Sequence, residues 1–213
     1  MEPTGIPNHV RDKYYAVPIS QDVVVPDSTT AKVVKDPTKA QTYKFTIPTT
    51  PQYTSAVTAT SLGSIGVMIS GAVIYNPFEG DNKTVAMANN FTITNSQGIT
   101  ASFVDKCAGH PIPDTGAYHY HGLSTCVTAK VDKVAKPSHV IGFALDGFPI
   151  YGAYGYANTN GTGAITRMKS SYQLLTNTTR VNGPAINQVI GTQTFFNGYF
   201  KEDYEYVAHP SDP

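Results

Sequence analysis

A mainly β chain, folded as a single-domain β-sandwich or irregular barrel with long Pro/Gly-rich loops, is what this 213-residue sequence predicts. Short apolar or alternating runs recur between turn signals, and no segment sustains a 3.6-residue apolar period with caps. The 18 glycines and 15 prolines that separate the runs are strand punctuation. The length suffices for one substantial core. The division expected is an extended N-terminal arm over residues 1–40, packed on the domain or exchanged with a neighbour, and a β domain over residues 41–213.

Within the arm, Pro3, Pro7, Pro18, Pro26 and Pro37 leave room for short extended stretches at Asp22 to Val25 and Ala31 to Val34. Thr42 to Pro48 (TYKFTIP) alternates polar and apolar residues and reads as a strand. Gly66 to Tyr75 reads as one strand or as two meeting around Ser70-Gly71, and NPFEGDNK after it is dense in turn formers. Phe91 to Thr94, Ala101 to Val104, Val140 to Leu145, Ile150 to Tyr156, Lys169 to Leu175 and Phe195 to Val207 complete the strands, the last run turning at Asn197-Gly198. A short helix is expected near Val127 to Val134.

Charged residues make up 14% of the chain, well below the roughly 25% of an average soluble domain, and 15 basic residues balance 15 acidic ones. No basic stripe is present, which argues against nucleic-acid binding through phosphate neutralisation. No apolar run approaches the roughly 18–20 residues of a membrane span. The opening MEPTGIPNHV does not read as a signal peptide. Low charge, paired cysteines and Asn-X-Ser/Thr sequons at Asn82, Asn90, Asn160 and Asn177 nevertheless point to an extracellular or cell-surface chain carrying N-linked glycans, its signal removed.

The segment CAGHPIPDTGAYHYHGLSTC places His110, His119 and His121, three of the six histidines, between the only two cysteines, Cys107 and Cys126. If Tyr118 to His121 is a strand, the histidines project from one face and the tyrosines from the other. Imidazoles so placed can converge on zinc or copper; they can equally hydrogen-bond carbonyls in an aromatic core. A Cys107–Cys126 disulfide would stabilise the fold by roughly 3 kcal/mol in the chain-entropy model. The two thiolates could instead join the histidines as ligands.

Ile6-Pro7-Asn8-His9, GVMISGAVIYNPFEGD, CAGHP, GAYHYHGL, IGFALDGFPIYGAYGY, Lys169-Ser170-Ser171-Tyr172 and FKEDYEY together resemble the YHYH-domain family, over about residues 5–207. The resemblance implies a secreted or surface protein and brings no settled activity. Relatives usually continue past EDYEYV into another acidic, Asn/Gly-containing stretch, whereas this chain stops at Pro213.

His119, His121 and His110, with His9 of the IPNH motif and Asp146 of LDGFPIYG, form the candidate metal set. Asp146 could ligate the metal, orient a ligand histidine or cap its turn. Glu79 and Asp81 could offer oxygens to calcium, although they are too few for a calcium motif. Glu202, Asp203 and Glu205 read as the solvated side of a strand. No GxSxG elbow is present. The leading reading is transition-metal binding. A structural or adhesive subunit that self-associates by strand or arm exchange is the alternative, and a metal-dependent hydrolase or oxidase comes third.

Overall fold

The structure is a computed structural model and describes residues 4–20, 26–54, 56, 58–132, 136–176 and 179–207. Its strands up to the cysteine loop are β1 (Tyr14–Pro18), β2 (Ala31–Lys35), β3 (Ser64–Met68), β4 (Val73–Tyr75), β5 (Thr92–Thr94) and β6 (Thr100–Ser102). The cysteine loop itself holds β7 (Gly109–Pro111) and β8 (Tyr118–Tyr120), and helix α1 (Thr125–Val131) follows. Beyond it come β9 (Val140–Ala144), β10 (Pro149–Tyr151), β11 (Tyr154–Tyr156), β12 (Ile165–Arg167), β13 (Tyr172–Leu174), β14 (Gln188–Ile190), β15 (Gln193–Phe195) and β16 (Tyr204–Tyr206).

One six-stranded sheet, in the order β10-β9-β3-β4-β8-β7, carries the fold, and two-stranded ribbons surround it. The fold is mainly β and irregular, with no closed barrel among the described residues. Gly66 to Tyr75 resolves into two strands: Gly71 adopts a φ of +92° at the turn, a conformation that suits glycine. β7 and β8 form an antiparallel hairpin that pairs His110 with His119, while β8 lies parallel to β4. Gly109 permits this hairpin, because a Cβ there would stand 2.6 Å from the Tyr118 hydroxyl and 2.7 Å from the His119 carbonyl oxygen.

The main core gathers Tyr15, Val17, Met68, Cys107, Tyr118, Tyr120, Val127 and Ile141. β1 is a strand the sequence pattern did not single out, and it brings Tyr15 and Val17 into that core by pairing with β2. Asp22 to Val25 lies outside the described residues, as does the end of the helix expected to reach Val134. Thr42 to Pro48 is a correction. Its alternation survives, with Tyr43, Phe45 and Ile47 half-buried and Thr42, Lys44 and Thr46 exposed, but the segment joins no ladder.

Asp203 is a second correction: it is buried, not solvated. Arg180 Nε donates to Asp203 Oδ1 and Nη2 to Oδ2, each at 2.8 Å, and the guanidinium also donates to the carbonyls of Pro184, Phe195 and Phe196. Asp203 Oδ2 accepts further from the Gly198 and Phe200 amides. A buried bidentate pair of this kind is costly to break from one side. Arg180→Met is therefore expected to lower stability by about 3 kcal/mol in urea unfolding. A loss within the half kilocalorie of an ordinary surface substitution would show that the pair does not hold the C-terminal ribbons.

Candidate metal centre

Strand alternation does to the YHYH segment what its spacing predicts. Tyr118 and Tyr120 turn into the core, and His119 and His121 face the other way, with His110 delivered beside them by β7. All three histidines are buried, at 3–6% exposure. His121 Nε2 lies 3.0 Å from His119 Nε2 and 3.1 Å from His110 Nε2, and the three side chains form one potential ligand group. Three imidazole nitrogens on a tetrahedral zinc ion stand about 3.3 Å apart, from a Zn–N distance near 2.0–2.1 Å. Two of the three separations are close to that, and the third pair lies within 4.8 Å.

Two backbone carbonyls decide where the protons sit. His119 Nδ1 is 3.1 Å from the Ala117 carbonyl and His121 Nδ1 is 2.8 Å from the Asn76 carbonyl. A carbonyl only accepts, so each Nδ1 carries the hydrogen and donates it. Each Nε2 is then a bare lone pair, aimed at another lone pair. Burial, followed by repulsion between the rings, pushes His110 well below the ordinary histidine range, and burial lowers His119 to about 3. Burial also lowers His121. The rings are neutral at pH 7, which is the ligand form, and converging neutral lone pairs call for a Lewis acid.

Aromatic walls hold the rings in place. Tyr75 stacks on His119 at 4.0 Å between centroids, and Phe103 meets His110 edge-on at 4.3 Å. Behind β7, Asp105 acts as a buried acceptor. Its Oδ2 takes the hydroxyls of Tyr15 and Tyr118 at 2.9 and 2.8 Å, and its Oδ1 takes the amides of Cys107 and Gly109 at 2.8 and 3.2 Å. Asp105 thereby ties the tyrosine face of β8 to the strand that carries His110. Sequence reasoning passed over it; the signal available was an aspartate two residues before Cys107, the spacing of an Asx turn.

The chain is matched over residues 44–212 by the family described as YHYH protein. It belongs to the YHYH family. No curated protein and no solved structure matches it. The YHYH segment is thus the centre of the fold as well as the source of the family's name, since its two faces build the core and the histidine group.

The other expected site residues of this YHYH protein fall elsewhere. His9 is not in the triad: its Nε2 lies 2.6 Å from the Tyr120 hydroxyl, on the opposite face of β8, beside Cys107 and Cys126. Asp146 is exposed in the turn between β9 and β10, where its Oδ1 accepts from the Phe148 amide at 3.3 Å. Cys107 and Cys126 form a disulfide. Asn82, Asn90 and Asn160 are exposed, Asn90 also donating to and accepting from the Val104 backbone; Asn177 lies outside the described residues.

Glu79 and Asp81, the expected calcium oxygens, are not joined by a further acid among the described residues. Asp81 uses both carboxylate oxygens on Lys83 and Thr84. Glu79 is instead a half-buried acid whose Oε1 is buried and unpartnered, and burial together with the nearby Asp81 raises it to about 7. Against an ordinary value of 4.5, the folded state keeps a proton that the unfolded chain has released. Stability from this group is full below pH 4.5 and is lost as pH rises through 7, by at most about 3 kcal/mol. Glu79→Gln is expected to flatten that slope in pH-dependent urea titrations; an unchanged slope assigns it to another group.

Proposed function

We propose that this YHYH domain binds one transition-metal ion, zinc or copper, through His110, His119 and His121. The observation that carries the reading is the pair of carbonyls on His119 and His121 Nδ1, which leave both Nε2 lone pairs facing each other in a buried site. Among the described residues neither thiolate nor carboxylate completes the group, so the ligand set there is imidazole alone, which suits both metals. A tetrahedral ion would keep a fourth position. Elemental analysis of protein from its natural source is expected to find about one zinc or copper per chain, and His119→Ala with His121→Ala to empty it. Metal-free native protein would end the proposal.

Binding without turnover is favoured over hydrolysis. Two surface hollows, one beside Asp12 and Tyr14 and one lined by Phe45, Ile47, Val67 and Phe143, do not include the histidines, and among the described residues no acid stands in the group. An extracellular setting is supported by the disulfide and by sequons on exposed turns at Asn82 and Asn160. Free thiols and bare asparagines in native material would overturn that setting.

A second reading, assembly as a surface or filament subunit, rests on the C-terminal ribbons. Tyr172 and Tyr206 face each other across β13 and β16 at 63% and 61% exposure, next to exposed Leu174. Two-stranded ribbons keep unpaired edges that a second copy can extend. Size-exclusion chromatography showing only monomer at high concentration would count against it.

A further inference from the structure

Behind the YHYH strand lies a second group of ligand atoms. The side chains of His9, Cys107 and Cys126 each offer one within 4.8 Å of the others. We propose that reducing the Cys107–Cys126 disulfide converts this place into a Cys2His site for a thiophilic cation of the Zn2+ class, separate from the histidine triad. While the disulfide is intact both sulfurs are bonded to each other and no thiolate exists, so the site is present only in the reduced protein.

The redox step follows from exposure. Cys107 is fully buried and Cys126 half-buried, so Cys126 Sγ is the sulfur an external dithiol reaches. One thiolate of the dithiol attacks it, the S–S bond breaks, and Cys107 departs as a thiolate. The second dithiol sulfur then displaces Cys126 and closes a cyclic disulfide. The protein has gained two electrons and the dithiol has lost them. A metal ion binding both sulfurs releases to solvent any thiol proton that remains.

The frame around the site does not depend on the disulfide. Lys130 Nζ donates to the Asn8 carbonyl and, at 3.0 Å, to Asn8 Oδ1, which fastens the IPNH segment to helix α1 next to Cys126. The Asn8 amide donates to the Ser70 carbonyl at 2.9 Å, and the Cys107 amide to Asp105 Oδ1 at 2.8 Å. These bonds hold the backbone of the IPNH segment and of Cys107 without the disulfide, and the Tyr120 hydroxyl, 2.6 Å from His9 Nε2, positions the ring. Two thiolates on one zinc stand about 3.7 Å apart, from a Zn–S distance near 2.3 Å. A side-chain rotation at Cys126 provides that separation between Cα atoms 5.2 Å apart.

Cobalt(II) is the probe, because a thiolate bound to it gives a near-ultraviolet charge-transfer band that imidazole does not. Full-length protein reduced with a dithiol and desalted without oxygen is expected to show this band, saturating at about one equivalent per site, with its far-ultraviolet circular dichroism kept. Oxidised protein is expected to show none. His9→Ala in the reduced protein should weaken cobalt binding in this band by about tenfold or more. The proposal is overturned if reduction unfolds the domain, if no band appears in folded reduced protein, or if His9→Ala leaves the affinity unchanged. The band reports on thiolates alone, so its failure is separate from failure of the triad.

Discussion

Zinc at a thousand times its dissociation constant is expected to stabilise the wild-type domain by about 4 kcal/mol, because an ion that binds only the folded state adds its binding free energy to folding. The measurement is the urea midpoint with and without zinc at fixed slope. His119→Ala is expected to abolish the zinc-dependent shift. The physical basis is the wiring of the Nδ1 protons: the carbonyls of Ala117 and Asn76 fix both rings in the ligand tautomer before any metal arrives. No large reorganisation is then charged against binding. A wild-type midpoint indifferent to zinc and to copper would sink the metal reading, and would leave three converging imidazoles without an explanation.

Asp105→Ala is expected to cost about 5 kcal/mol, the largest loss from a single substitution in this chain. Two tyrosine hydroxyls and two backbone amides donate to this carboxylate, and its residue is 4% exposed. Removing the acceptor leaves several buried donors unpaired, at about 1–3 kcal/mol each before relaxation and water entry. Asp105→Asn keeps an acceptor for the amides and is expected to lose about half as much. The alanine variant is expected to weaken metal binding by about tenfold, since it releases the Gly109 amide beside His110. A loss of stability below about 1 kcal/mol for the alanine variant would mean that water replaces the carboxylate without penalty.

What could be read in the sequence follows a physical divide. Alternation in Tyr118 to His121 is a local property of a strand, so the shared face of His119 and His121 was legible, and so were the turns at Ser70-Gly71 and Asn197-Gly198. Thr42 to Pro48 shows the boundary: its alternation correctly reports which side chains are half-buried, but a ladder needs a partner strand, and partners are chosen at long range. His9 was grouped with the triad through its family-matching IPNH motif, and the fold places it on the other side of β8, where Tyr120 points. Asp203 looked solvated because its partner, Arg180, lies 23 residues away in sequence. The carbonyls of Asn76 and Ala117 carry no side-chain signal at all.

The parallel pairing of β4 with β8 has a consequence for the order of assembly. His110, His119 and His121 belong to one hairpin and meet across a few residues, whereas Val73 meets His119 only after the chain between them has been closed into a long loop. Local closure is fast and long-range strand pairing is slow. We expect the hairpin to gather its three imidazoles first, and β4, bringing the Asn76 carbonyl, to arrive afterwards and lock them. A cation present during folding would then act as a nucleating pin, gripping the hairpin before the sheet exists. Pulsed hydrogen exchange during refolding can test this: amides bonded within the β7–β8 hairpin should gain protection ahead of those bonded between β4 and β8, and the lead should widen with zinc. Simultaneous protection of the two pairings would rule the order out.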